Sequence, residues 1–210
     1  MRAASQHVLN TIPKETLNMD AAVAQAMASW PHVARCSGWL ALDDRGRWWM
    51  RNHSGPALWP RDAQGRLDKT DAGPVLHDGM AAFIGRNYTH DAQGAWFFQN
   101  GPQRVDVSLE SAPWIVRLHI TPTGEWQWWS HTLQPCAVDS AWLDVLGRIW
   151  LHTDLGPGLL HSNDMPIIAA HLDATGTLLA RSELPPLPLS TLPAPPAQFF
   201  GFLPDPASVA

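Results

Sequence analysis

The chain has 210 residues, a formal net charge of −5 and only 16% charged side chains. Its basic residues are scattered, so no basic stripe offers itself to phosphate, and a nucleic-acid partner is not expected. No apolar run approaches the roughly 20 residues that span a bilayer, so no membrane partner is expected either. The length suits one well-packed domain, and 45% apolar residues argue against disorder.

Residues 1–14 are polar and read as a flexible N-terminus without the apolar core of a secretory signal. Two cysteines, Cys36 and Cys136, have no zinc spacing. They read as reduced thiols in a cytoplasmic protein. From Glu15 to Trp30, the positions Leu17, Ala21, Val23, Met27 and Trp30 suit one amphipathic helix. Asn18 or Asp20 is placed to cap its start, and Pro31 to stop it. A second helix is predicted over 78–86, around Met80, Phe83 and Ile84.

The rest reads as strands punctuated by a recurring unit, Asp-x-x-Gly-x followed by an apolar residue. Copies begin at Asp43, Asp62, Asp91, Asp144 and Asp173, with Thr121 opening a sixth. Asp opens a type I turn by accepting backbone N–H bonds, and Gly takes the left-handed position after it. The densest stretch is Asp91–Arg117. Trp96-Phe97-Phe98 suits a buried strand, Asn100-Gly101 a hairpin turn, and Val105, Val107 and Leu109 alternate as on a half-buried strand. Residues 185–206 hold eight prolines and then Phe199, Phe200 and Phe202. This run reads as an extended tail, without helix or sheet, whose phenylalanines dock on the body.

The expected fold class is mainly β (α+β): an antiparallel sheet or partly open barrel of consecutive hairpins, one or two helices and a Pro-rich C-terminal tail. The expected division is a flexible segment 1–14, a single domain 15–184 and a docked tail 185–210.

Chemistry is harder to find. The Asp-x-x-Gly units lack the alternating ligands and terminal Glu of a calcium loop. His152, Asp154, His161 and Asp164 are metal-ligand types without a tight motif, so no metal and no cofactor is expected. No nucleophile elbow or phosphate loop occurs, and neither cysteine has a reactive context, so no catalytic residue is assigned. The most polar convergence is Arg86, Asn87, Tyr88, Asn100, Gln103 and Arg104, which would rim one ligand pocket if the second helix packs beside the central hairpin. The plainer reading is that Asn100 and Gln103 shape a turn and that Arg104 pairs with an acid such as Glu110.

The turns resemble, loosely, the blade hairpins of propeller-type domains, but their spacings of 19 to 30 residues fall short of a period of roughly 40 per blade. Four blocks are more specific: Gly38-Trp-Leu-Ala-Leu-Asp-Asp-Arg-Gly-Arg-Trp48, Phe83-Ile-Gly-Arg-Asn-Tyr88, Gly94-Ala-Trp-Phe-Phe-Gln-Asn-Gly-Pro-Gln-Arg-Val105 and Gly156-Pro-Gly-Leu-Leu160. In these the chain resembles an uncharacterised family of bacterial proteins, over roughly residues 15–185. The resemblance implies a shared fold and no activity. The expected function is a non-enzymatic binding or interaction module, monomeric or homodimeric, whose partner is an unknown protein or small molecule. The alternative is a hydrolase-like small-molecule enzyme with its site near Asn87, Asn100 and Arg104 or at the histidines.

Overall fold

Six tight turns punctuate the chain, and one local chemistry builds them all. In the computed structural model, which describes residues 19–30, 32–53, 55, 58–179 and 186–209, each turn glycine donates its N–H to the carbonyl three residues before it. The pairs are Gly46 to Asp43, Gly65 to Asp62, Gly94 to Asp91, Gly124 to Thr121, Gly147 to Asp144 and Gly176 to Asp173. Their φ angles run from +73° to +87°, a region where a Cβ is strained and glycine is not.

A short helix, α1 (Ala21–Ser29), precedes the first sheet. It is shorter than predicted, and residues 15–18 and Pro31 lie outside the described residues. Of its expected apolar face only Val23 is buried; Met27 and Trp30 are exposed. Polar bonds anchor it instead. Asp20 makes no side-chain cap; its N–H donates to Asn87 Oδ1 and its carboxylate accepts from Arg86 and Asn87.

Strands β1 (Cys36–Leu42), β2 (Trp48–Arg51) and β3 (Ala72–Pro74) then form a meander. Helix α2 (Asp78–Arg86) follows, with the predicted bounds, and β4 (Tyr88–His90), β5 (Trp96–Asn100) and β6 (Gln103–Leu109) return. The β5–β6 turn relies on Gly101, at φ +56°, while Asn100 is already paired with Gln103. Strand β6 lies parallel to β1, which gives the order β3-β2-β1-β6-β5-β4. A second hairpin group, β7 (Trp114–Ile120), β8 (Trp126–Ser130) and β9 (Pro135–Cys136), comes next.

From β10 the chain repeats its first course. Strands β10 (Val138–Leu143), β11 (Ile149–Thr153) and β12 (Gly156–Leu160) form a meander, and α3 (Met165–Ala170) follows. A bridge from Leu172 to Leu178, β13 (Thr177–Leu178) and β14 (Leu187–Thr191) return. Strand β14 lies parallel to β10, so β12-β11-β10-β14-β13 matches β3-β2-β1-β6-β5 strand for strand. The registers agree too. Leu40 faces Met50 and Val107, and Ala141 faces Leu151 and Leu189.

The fold is mainly β, in two mixed sheets. The hairpins are not simply laid side by side. Among the described residues, parallel pairings join β1 to β6, β10 to β14 and β7 to β12. The Pro-rich segment was expected to form neither helix nor sheet; it supplies strand β14 and helix α4 (Pro196–Phe200). Pro188 interrupts only its own N–H, so Leu187 and Leu189 still pair.

One apolar core runs through both halves. Phe200 and Phe202 stack on Trp150. Beyond them the chain crosses to the first sheet. Leu203 N–H donates to Gly94, Pro204 accepts from Leu109 N–H, and Ser108 Oγ donates to Asp205. The turn after β8 also reaches the first half, where His131 lies over Gly46 and Thr132 over Gly85.

Candidate functional site

The β5–β6 hairpin and α2 together leave a space unfilled. Residues directly opposite on paired strands point to one face, so Phe98 with Val105, and Asn100 with Gln103, form one wall. Cys36, Trp39 and Leu40 of β1 and Met50 of β2 continue it, and Met80, Phe83 and Ile84 of α2 form the opposite side. Phe83 and Phe98 meet edge to face at 5.4 Å, which fixes the helix on the sheet. The enclosed volume is about 320 Å³. Among the described residues no Asp, Glu, His, Lys or Arg lines it; the Cys36 thiol does, and its pKa is pushed up, mainly by burial.

The six polar residues singled out in the sequence separate. Asn100 and Gln103 line the pocket. Arg104, one residue on, faces the other side of the sheet, where it pairs with Asp91 at 2.8 Å and with Asp106 at 3.1 Å. Its partner is therefore not Glu110, which pairs with Lys69. Asn87 is 2% exposed and caps the end of α2, donating to Phe83 and Asp20. Arg86 pairs with Asp20. Tyr88 is buried in the core and donates its hydroxyl to the Pro113 carbonyl.

The metal-ligand types are also dispersed. His152 pairs with Asp139, Asp154 accepts from Ala137 N–H, His161 accepts from Asn163 N–H, and Asp164 holds Arg117 and the Leu118 N–H. A set not read from the sequence is Asp43, Asp44 and Glu110, whose carboxylates lie within 4.8 Å of one another. Lys69 already supplies a cation there, 2.8 Å from Glu110 and 3.8 Å from Asp43. Asp43 is further committed to Arg45 N–H, Arg47 N–H, the Arg47 guanidinium and the Trp49 indole. Asp144 holds the equivalent four donors, from Leu146, Arg148 and Trp150. These carboxylates are structural clasps.

A second feature missed in the sequence is His131. Its ring lies among Trp48, Tyr88 and Trp114. Nδ1 accepts from Ile115 N–H, and Nε2 is buried without a partner among the described residues. Burial holds its pKa down to about 3, against a smaller upward pull from Asp43. It stays neutral and cannot act as a base on anything in solvent.

A family model described as "Protein of unknown function (DUF2946)" matches residues 19–206. The chain belongs to that family, DUF2944. No curated protein matches it. A crystal structure of a DUF1285 family protein from Silicibacter pomeroyi DSS-3 is similar, at 11% identity and a TM-score of 0.47, over 75% of this chain and 82% of that one. Among the described residues, no helix of this DUF2944 protein is long and apolar enough to cross a membrane.

Proposed function

We propose that this DUF2944 protein is a binding module whose ligand seat is the pocket between α2 and the first sheet. The observation that carries this reading is the apolar opening beside α2. In the second repeat, Ile168 of α3 is buried with Ala141, Ile149, Leu151 and Leu178. In the first, Ile84 of α2 is buried likewise and Phe83 meets Phe98, but beside them about 320 Å³ is open, with Met80 and Trp39 exposed at the edge. That volume is at the small end of ligand pockets, roughly 300–1,000 Å³. An unfilled apolar space costs stability, and a ligand that fills it would offset that cost.

Binding rather than catalysis is supported by the lining, which among the described residues presents no Asp, Glu, His, Lys or Arg to act as general acid or base. The hydrolase alternative gains no such support, because Asn87, Asn100 and Arg104 point into three different environments. A cytoplasmic home is part of this reading. Cys36 and Cys136 are free, as a reducing compartment keeps them. The test is titration with the neutral dye Nile red, whose emission rises in apolar sites. Wild type should bind it with 1:1 stoichiometry, and Met80→Trp, which fills the mouth from an exposed position, should weaken binding at least tenfold at unchanged melting temperature. Equal binding by both proteins would remove the pocket as the seat.

A further inference from the structure

We infer that the pocket selects an uncharged ligand with an apolar body and a carboxamide-like head, one that both donates and accepts hydrogen bonds. The inference rests on the pocket being the ligand seat. Three observations carry it.

Among the described residues the lining has no acidic or basic side chain to meet a charged ligand. An unpaired charge taken into an apolar wall is strongly disfavoured, so carboxylates and ammoniums are poor occupants. The second observation is where polarity does occur. Asn100 and Gln103 are the amide side chains on the lining among the described residues, and they are cross-strand neighbours at the hairpin end of the wall. Phe98 and Val105 lie next along the same face. The pocket is thus graded, amides at one end and rings and aliphatics beyond. Third, the amides are available. Among the described residues no hydrogen bond engages either side chain, whereas adjacent Gln99 donates its Nε2 to the Gly101 carbonyl to brace the turn. Turn-shaping therefore falls to Gln99, and Asn100 and Gln103 are left over.

Each free carboxamide offers a carbonyl acceptor and an NH₂ donor. An amide matches both with the same paired carbonyl and NH₂; a hydroxyl offers a single donor, a ketone satisfies only the donors, and an alkyl end satisfies neither. Sites that hydrogen-bond a ligand reject analogues lacking the matching group far more strongly than apolar walls distinguish methylenes.

The experiment displaces Nile red with octanamide, with its near-isostere nonan-2-one and with octanoate. Wild type should bind octanamide at least tenfold more tightly than nonan-2-one, and octanoate weakest. In Asn100→Ala/Gln103→Ala, whose side chains carry no internal bond, the melting temperature should hold and the amide preference should fall to within about twofold. Equal binding of amide and ketone by wild type would overturn the head-group assignment while leaving the seat in place. A preference that survives in the double variant would also overturn it. If none of the three displaces the dye, the pocket reading fails, and this inference with it.

Discussion

The turns at Asp43 and Asp144 show how one local design carries different loads. Both read Asp-x-x-Gly-Arg-x-Trp, and in both the carboxylate gathers two backbone amides, the arginine Nε and the tryptophan indole, at 2.8–2.9 Å. Their surroundings differ. Over Gly46 sits His131, and a Cβ there would lie 2.5 Å from the histidine's own; around Gly147 nothing approaches within 4 Å. At the tips, Asp44 and Arg45 in the first repeat correspond to Val145 and Leu146 in the second, which are 96% and 72% exposed. The same holds for the later turns. Gly94 is pressed against the Gly201 carbonyl, its would-be Cβ at 2.1 Å, while Gly176 is open. A turn motif therefore secures its own geometry, and the cost of disturbing it is set by what the rest of the chain lays on top.

The largest expected break in this comparison is at Gly94. Gly94→Val adds backbone strain and a clash with the Gly201 main chain, and should cost roughly 3–5 kcal/mol. Gly176→Val meets only the strain and should cost roughly 1–3 kcal/mol. Urea midpoints of the two variants decide the matter; equal losses would mean that overlying contacts carry no weight.

Next are the clasps. In Asp43→Asn and Asp144→Asn an NH₂ group is set against the arginine and indole donors, and each should cost about 1–3 kcal/mol, Asp43 the more because its side chain is wholly enclosed. Burial pushes both carboxyls up in pKa, but the amide, indole and guanidinium donors outweigh it and hold them below the ordinary value of 3.8. Their contribution is complete above that value and lost as pH falls through the lowered folded values. Chemical denaturation between pH 5 and 2 would expose this loss, which each Asn variant should reduce.

His131 belongs to the first repeat's surroundings and has no partner in the second. Its folded pKa of about 3 lies below the ordinary 6.5, so the unfolded chain binds the extra proton first. Stability should be flat above pH 6.5 and fall by up to about 1.4 kcal/mol per unit below it. His131→Asn keeps an acceptor for Ile115 N–H and should reduce the slope between pH 6 and 4.5, leaving the part due to His161, whose pKa burial also lowers; an unchanged slope would assign the acid sensitivity elsewhere.

The smallest effect is expected at the open tip. Val145→Asp/Leu146→Arg gives the second turn the first turn's charges and should move stability by no more than about 0.5 kcal/mol. A larger loss on thermal melting would mean that this tip is held by contacts that the first repeat lacks.

The turns were legible because their chemistry is local: an Asp, a Gly three residues on, and the positive φ that only Gly adopts freely. Helix α2 was legible for the same reason, from Met80, Phe83 and Ile84 on one face. The duplication was not, although Asp43-x-x-Gly-Arg-x-Trp49 and Asp144-x-x-Gly-Arg-x-Trp150 stand 101 residues apart in plain view. What defines it is the parallel pairing of β1 with β6 and β10 with β14, contacts between segments 48–69 residues distant that leave no local signature. The strand at 187–191 was hidden because prolines mask a run whose alternate leucines still pair. Of the polar set at 86–104, sequence adjacency joined Gln103 to Arg104, yet the pleat of a strand sends neighbours to opposite faces.

Residues 203–206 cross from the second half to seal the first, on Gly94, Ser108 and Leu109. During synthesis these residues leave the ribosome roughly 95 positions after the strands they complete. At about 5–20 residues per second, β1–β6 must wait on the order of 5–20 seconds for them. Throughout that interval the Leu109 N–H lacks its carbonyl, and Trp150, once made, waits a further 50 positions for the first ring that stacks on it. The two repeats share a topology but not a timetable: the half made first is the half finished last, and a nascent chain halted before residue 200 lacks the closing contacts of both halves.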